Sequence, residues 1–278
     1  MRTLLQPGPV HPDRIDDHAA TARRLAFTAQ PGLSLADSLT RPMRDAGFQA
    51  GTLRFSGAGL APFRYVMPDH ATDDRHVAYF SAPRAPAGVS RIEHATATFG
   101  FNAGRPFLHT HAAWIEPDGE RHGGHILNED SILLDPIAVE AWGFETPRVE
   151  IAEDPETNFS LFQPAGVSTA GGDAVLARIR PNQDIIAAIE TIARTHAMPN
   201  ARIVGSVGSL VGTRFDDGRD IPDRATEVLV TAGQVVGGVA TLDVISVDMA
   251  GRPHTGRLAR GQNAVLITFD LVLLRAPA

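Results

Sequence analysis

The sequence predicts two homologous domains, each mixing strands with an amphipathic helix, and three observations lead there. The chain has 278 residues, enough for two domains of ordinary size. Two sequence blocks recur in the same order. Within each block the hydrophobic period changes from that of a strand to that of a helix and back.

The first block begins "LAFTAQPGLSLADSLTRPMRDAGFQAGTLRFSGAG" at Leu25 and recurs as "VLARIRPNQDIIAAIETIARTHAMPNARIVGSVGS" at Val175. Pro31 matches Pro181, Leu39 matches Ile189 and Leu53 matches Ile203, all at a spacing of 150. Each copy reads as a short strand, a turn at proline, a helix, and a strand ending in small residues. In the second helix Ile185, Ile186, Ile189 and Ile192 form a core-facing stripe. The small-residue ends, "SGAGL" and "GSVGSL", imply close backbone packing or a tight turn. Later, at a spacing of 132, "DGERHGGHILNEDSILLDPIAVEAW" lies over "AGRPHTGRLARGQNAVLITFDLVLL". The difference of 18 falls in the Pro- and Asp-rich stretch "YVMPDHATDDRHVAYFSAPRAPAGV", an insertion in the first copy. The expected division is an N-terminal arm over 1–22, a first domain over 23–150, a linker over 151–173 and a second domain over 174–278.

Composition narrows the chemistry. The 43% hydrophobic and 21% charged content is that of a globular protein. No apolar run is long enough to span a bilayer, and "MRTLLQPGPVHPDR" has no signal-peptide core, so a cytoplasmic location is expected. There is no cysteine, which removes disulfides, thiol nucleophiles and thiolate metal sites. All 25 basic residues are arginine, which removes Schiff-base lysines and the phosphate-loop lysine. The net charge of −7, with no arginine-dense block, argues against nucleic acid as a partner.

The densest functional signal is "FLHTHAAWIEPDGERHGGHIL", residues 107 to 127. His109 and His111 share a strand face. "PDG" at 117–119 predicts a three-residue hairpin loop closed by a left-handed glycine. Glu116 then pairs with Glu120, His111 stands opposite His125, and His109 lies on the diagonal. Opposed Cβ atoms are about 5 Å apart and diagonal ones about 7 Å, so three imidazoles can reach one ion. Gly123 and Gly124 are read as leaving the approach open, and His122 falls on the opposite face. A single H-x-H reads first as a wet, histidine-rich strand. A third histidine in matching register shifts the reading to a metal, with zinc first and an open fourth position for water or substrate. The second copy carries Thr241, Asp243 and Arg257 at these positions, so it is read as metal-free, with Asp243 opposite Arg257.

These residues, an H-x-H strand, a "DG" turn and "GGHIL" preceded by a helix and "GSVGSL"-like segments, resemble the plants-and-prokaryotes-conserved domain, PPC or PCC. The resemblance covers most of 23–142 and 174–275. It implies an α+β fold, each domain a mixed, mainly antiparallel β-sheet packed with one or two helices. Bacterial and archaeal members are similar in fold to α-acetolactate decarboxylase and to a zinc-dependent ester hydrolase, which implies His109, His111 and His125 as ligands of Zn2+. Plant members accompany AT-hooks, are described as DNA-associated and lack the histidine triplet. The family also implies assembly as a homotrimer.

Around the metal, Glu129 shares the parity of His125 and is the first choice for general acid/base, with a solvated carboxylate as the competing reading. Arg105 is placed to hold a substrate carboxylate, with a solvated loop arginine as the competitor. The insertion with His70, Asp73, Asp74 and His76 reads by default as an exposed polar loop, with a lid or a contact to a neighbouring subunit as the alternatives. The first functional expectation is a zinc-dependent hydrolase or carbon–carbon lyase acting on a small carbonyl or carboxylate compound. The alternatives are a DNA-associated regulatory protein with a structural metal, and a trimeric scaffold without catalysis.

Overall fold

The computed structural model describes residues 1–166, 168–169 and 171–276. Val167 and Ala170, inside the expected linker, and the last two residues of the expected second domain lie outside the described residues. The fold is α+β, two large β-sheets with one α-helix each.

The first helix, Leu35–Asp45, starts where the Ser34 side chain accepts from Asp37 N at 3.0 Å, satisfying a free N–H of the first turn. It buries Leu35, Leu39 and Met43, one residue per turn, against the first sheet. The second helix, Ile185–Thr195, is capped by Asp184 accepting from Ala187 N at 2.9 Å. It buries the isoleucine stripe legible in the sequence.

The first sheet runs Arg23–Ala29, Ile137–Phe144, Ala50–Phe55, Ser90–Asn102, Arg105–Ile115, Arg121–Ile126 and the short Tyr65–Val66, each neighbour antiparallel. The second runs Ile15–Ala20, Ala174–Ile179, Val265–Arg275, Ala201–Leu210, Thr226–Val236, Val239–Val247 and Pro253–Arg257, again antiparallel. The segment read as an arm thus supplies Ile15–Ala20 to the second sheet, pairing with Ala174–Ile179. The segment read as a linker contains Ser160–Ala165, which pairs with Arg148–Glu153 beside the first sheet.

Strand parity sorts the side chains into layers. On Arg105–Ile115, Leu108, Ala112 and Trp114 pack toward the first helix, while Ala113 joins Val207, Leu229 and Ile245 between the sheets. On Val265–Arg275, Phe269, Leu271 and Leu273 face the second helix, while Val272 and Leu274 face the first sheet. The layers therefore run helix, sheet, sheet, helix. The inter-sheet layer relies on small residues: a Cβ on Gly205 would lie 2.0 Å from Thr52 Oγ1 across the gap. This is the close packing that "GSVGSL" implied.

Candidate metal centre

The hairpin has the expected register. Glu116 N donates to Glu120 O at 2.9 Å, Gly119 takes φ 88°, and His111 pairs with His125. His109, His111 and His125 present ring nitrogens that all lie within 4.8 Å of one another, a group able to hold a metal ion. His122, of opposite parity, stands outside the group. Gly123 and Gly124 have a different reason from the one expected. A Cβ on Gly124 would lie 2.5 Å from Val66 O, and one on Gly123 2.5 Å from Val247 Cγ2. The glycines admit a neighbouring strand and the second sheet, rather than clearing the path to the triad.

The odd-numbered histidines face the gap between the sheets, and the second sheet answers them. His111 Nδ1 donates to Val228 O at 2.9 Å. A carbonyl only accepts, so the proton sits on Nδ1 and Nε2 keeps its lone pair. His109 Nδ1 faces Asp270 Oδ2 at 3.4 Å, an acceptor for a proton on that nitrogen. The two Nε2 atoms stand 3.0 Å apart. Histidines that bind metals commonly hold the other ring N–H on a carbonyl or carboxylate in this way. His125 Nδ1 is buried without a hydrogen-bond partner. Two near-tetrahedral ligands at about 2.0–2.1 Å from zinc are themselves roughly 3–3.5 Å apart, so three imidazoles suit that ion and the His109–His111 spacing fits it.

Burial shapes the proton affinities. Desolvation pushes the His125 ring down to about 3, helped by the charge of His109. The same burial, then the charges of His109 and His125, holds His111 well below its ordinary value against the opposing bond to Val228. Both rings are therefore neutral near pH 7 and able to ligate. Beside them Glu227 is 4% exposed, its Oε1 is 4.0 Å from His111 Nε2, and burial pushes its carboxyl up to about 8.

Two cavities flank the triad. One of about 80 Å³ reaches His109, His111 and Glu227 beneath Tyr79 and Phe80. The other, of about 260 Å³, reaches His109, His125 and Asp270, and Phe159 lines both. The insertion does cover the site, but with aromatic rings: Phe80 stands edge-on to the His125 ring at 5.4 Å. His76 is occupied by Asp73 at 3.2 Å and Asn158 O at 3.3 Å, and His70 and Asp74 are exposed.

Glu129 and Arg105 are not brought to the triad. Strand Arg121–Ile126 ends before Glu129, and the chain turns through Asn128–Asp130, so strand parity no longer applies. Glu129 and Arg105 are exposed and line neither cavity. In the second half Asp243 and Arg257 pair in register, and Arg257 donates two hydrogen bonds of 2.8 and 3.1 Å to the Asp243 carboxylate. Glu227, Asp270 and Val228 escape sequence reasoning because each reaches the histidines from more than 100 residues away, with only strand parity as a signal.

No family model matches the chain, and no curated protein matches it. Solved structures do. A plant- and prokaryote-conserved (PPC) protein of Pyrococcus horikoshii is 13% identical, over 52% of this chain and 94% of that one, with a TM-score of 0.42. A metal-containing protein of Archaeoglobus fulgidus is 17% identical over 52% and 96%, with a TM-score of 0.41. A "putative DNA-binding protein" of Ralstonia eutropha is 16% identical over 50% and 89%, with a TM-score of 0.38. The likeness is one of fold, PPC-like over about half the chain.

Net charge argues against nucleic acid, yet proteins of similar fold are described as "putative DNA-binding" proteins. A sum over the whole chain does not fix the local arrangement of arginines, and it is the local field that meets a phosphate. Among the described residues no helix is long and apolar enough to cross a membrane.

Proposed function

We propose that this chain is a tandem of two PPC-like units that holds one divalent ion, zinc first, on His109, His111 and His125. One observation carries the reading: the Nε2 atoms of His109 and His111 stand 3.0 Å apart, with Nδ1 of each ring turned to an acceptor of the other sheet. Two facing lone pairs repel unless a proton or a cation lies between them. Elemental analysis of protein purified without chelators should find about one metal per chain, and His111→Ala should lose it. Near-zero metal in the unaltered protein would sink the reading.

Two uses of such a centre follow. The first is a DNA-associated regulatory protein whose metal is structural, the reading favoured by the descriptions of proteins similar in fold. Binding to duplex DNA that weakens steeply with salt supports it, and no binding even at low salt removes it. The second is a metal-dependent hydrolase or carbon–carbon lyase acting on a small carbonyl or carboxylate compound, favoured by the two cavities at the triad. Zinc held there supplies Lewis acidity to a carbonyl. The chain's own part is to orient the rings through Val228 and Asp270 and to exclude water with Tyr79, Phe80 and Phe159. Glu129 and Arg105, outside both cavities, take no part in it.

A further inference from the structure

Among the described residues, four of the six buried acids meet an arginine; the other two, Asp270 and Glu227, meet only a histidine of the triad. Asp154 meets Arg178 and Arg180, Glu156 meets Arg14, Glu190 meets Arg260, and Asp248 meets Arg252. Glu227 meets no arginine among the described residues; the basic side chain beside it is His111, whose ring is neutral near pH 7. Its Oε2 is buried with no hydrogen-bond partner at all. An isolated carboxylate in such a place is costly unless a positive charge is supplied.

The placement of Glu227 is as specific as its isolation. It stands on Thr226–Val236, and the next residue, Val228, is the one whose carbonyl orients His111. The strand therefore holds one edge of the His111 ring through its backbone and brings a carboxylate to the other. That carboxylate lies 4.0 Å from Nε2, the nitrogen with the free lone pair. Near-tetrahedral zinc ligands are roughly 3–3.5 Å apart, so a side-chain rotation that moves Oε1 by under about 1 Å brings it onto the same ion.

We propose that Glu227 is the fourth protein donor of this centre, supplied by the second half of the chain to the three histidines of the first. The proposal rests on the metal reading above. The centre is then a three-histidine, one-carboxylate site that neither half completes alone. The half without a histidine triad contributes one ligand, Glu227, and the two acceptors that orient His109 and His111. Four protein donors are the pattern of a closed, structural zinc site, whereas catalytic sites keep a position open.

The test uses the full chain and two probes, zinc and cobalt(II). Zinc affinity is measured by competition with a chromophoric chelator, and cobalt(II) spectra report the coordination. Glu227→Gln should weaken zinc tenfold or more and alter the cobalt(II) visible bands, Glu227→Asp should weaken it less, and His111→Ala should lose the metal. If Glu227→Gln stays within twofold of the unaltered protein with the same cobalt(II) spectrum, while His111→Ala loses metal, the histidines stand and Glu227 is not a donor. If the unaltered protein takes up no metal, both readings fall. A structure of the zinc-loaded unaltered protein decides independently of how the variants fold: a Glu227 oxygen at about 2.0–2.2 Å from the ion is expected, and a carboxylate turned away overturns the proposal.

Discussion

The contact between His111 Nδ1 and Val228 O fixes a tautomer, and with it the role of one side chain. Asp270 does the same for His109 at a longer 3.4 Å. Losing such an outer partner typically weakens a metal 10–100-fold. Asp270→Asn should therefore lower zinc affinity by about that factor while leaving one metal per chain at saturation, read by chelator competition. The same residues predict a pH dependence for the metal-free protein. His111 and His125 titrate lower in the folded state than the unfolded value of about 6.5. Their contribution is present above that pH and is lost as pH falls, when the unfolded chain binds protons that the folded one refuses. The slope is about 1.4 kcal/mol per pH unit for each ring. Glu227 acts in the opposite sense: raised to about 8, its carboxyl contributes at acid pH and loses that contribution as pH rises toward 8. The three groups together place a stability maximum near about pH 6.5. Urea titrations of chelator-treated protein should show a decline from pH 6.5 to 8 that Glu227→Gln reduces. An equal decline in both proteins would remove Glu227 as its source.

At the scale of elements, the hairpin was legible and what surrounds it was not. Period two, the "PDG" loop and one left-handed glycine are local properties, and they place His111 opposite His125 without knowledge of any other strand. The helices were legible for the same reason, through Ser34, Asp184 and the isoleucine stripe. Glu129 shows the limit, because parity was carried past the end of a strand whose stop at Ile126 has no strong sequence marker. Gly124 shows another: its neighbour is Val66 O, brought in by the insertion, and nothing near "GGH" announces that strand. The two hairpin glycines should therefore respond differently to alanine. Gly119→Ala has open space around it and costs only the left-handed backbone, about 1–2 kcal/mol. Gly124→Ala combines φ 151° with a carbonyl 2.5 Å away, so the strand that carries His125 and the Val66 segment must move apart. Both stability and zinc affinity should fall in Gly124→Ala, whereas Gly119→Ala keeps its zinc affinity. Equal affinities in the two variants would show that the hairpin tolerates the shift.

Across the whole molecule, the triad and its acceptors belong to different sheets, so the spacing between the sheets sets the site. That spacing is held by residues too small to draw notice in a sequence: Ala113 against Val207, Leu229 and Ile245, Gly123 against Val247, and Gly205 against Thr52. The N-terminal strand Ile15–Ala20 and the Asp154–Arg178 ion pair tie the halves further, through pairings more than 20 residues apart in sequence. Gly205 is the sharpest point of this contact. It sits at φ 51°, and any Cβ would collide with Thr52 Oγ1 at 2.0 Å. Gly205→Ala should cost about 2–4 kcal/mol, combining left-handed strain with overpacking. If the sheets respond by separating, His111 Nδ1 moves from Val228 O, and zinc affinity falls although no residue of the centre has changed. Thr52→Gly in the same chain removes the collision but not the backbone strain, so it should recover the zinc affinity and only part of the stability. A double-mutant cycle reads this directly. Strict additivity of the two substitutions would mean that Gly205 and Thr52 do not meet, and that sheet spacing is set elsewhere.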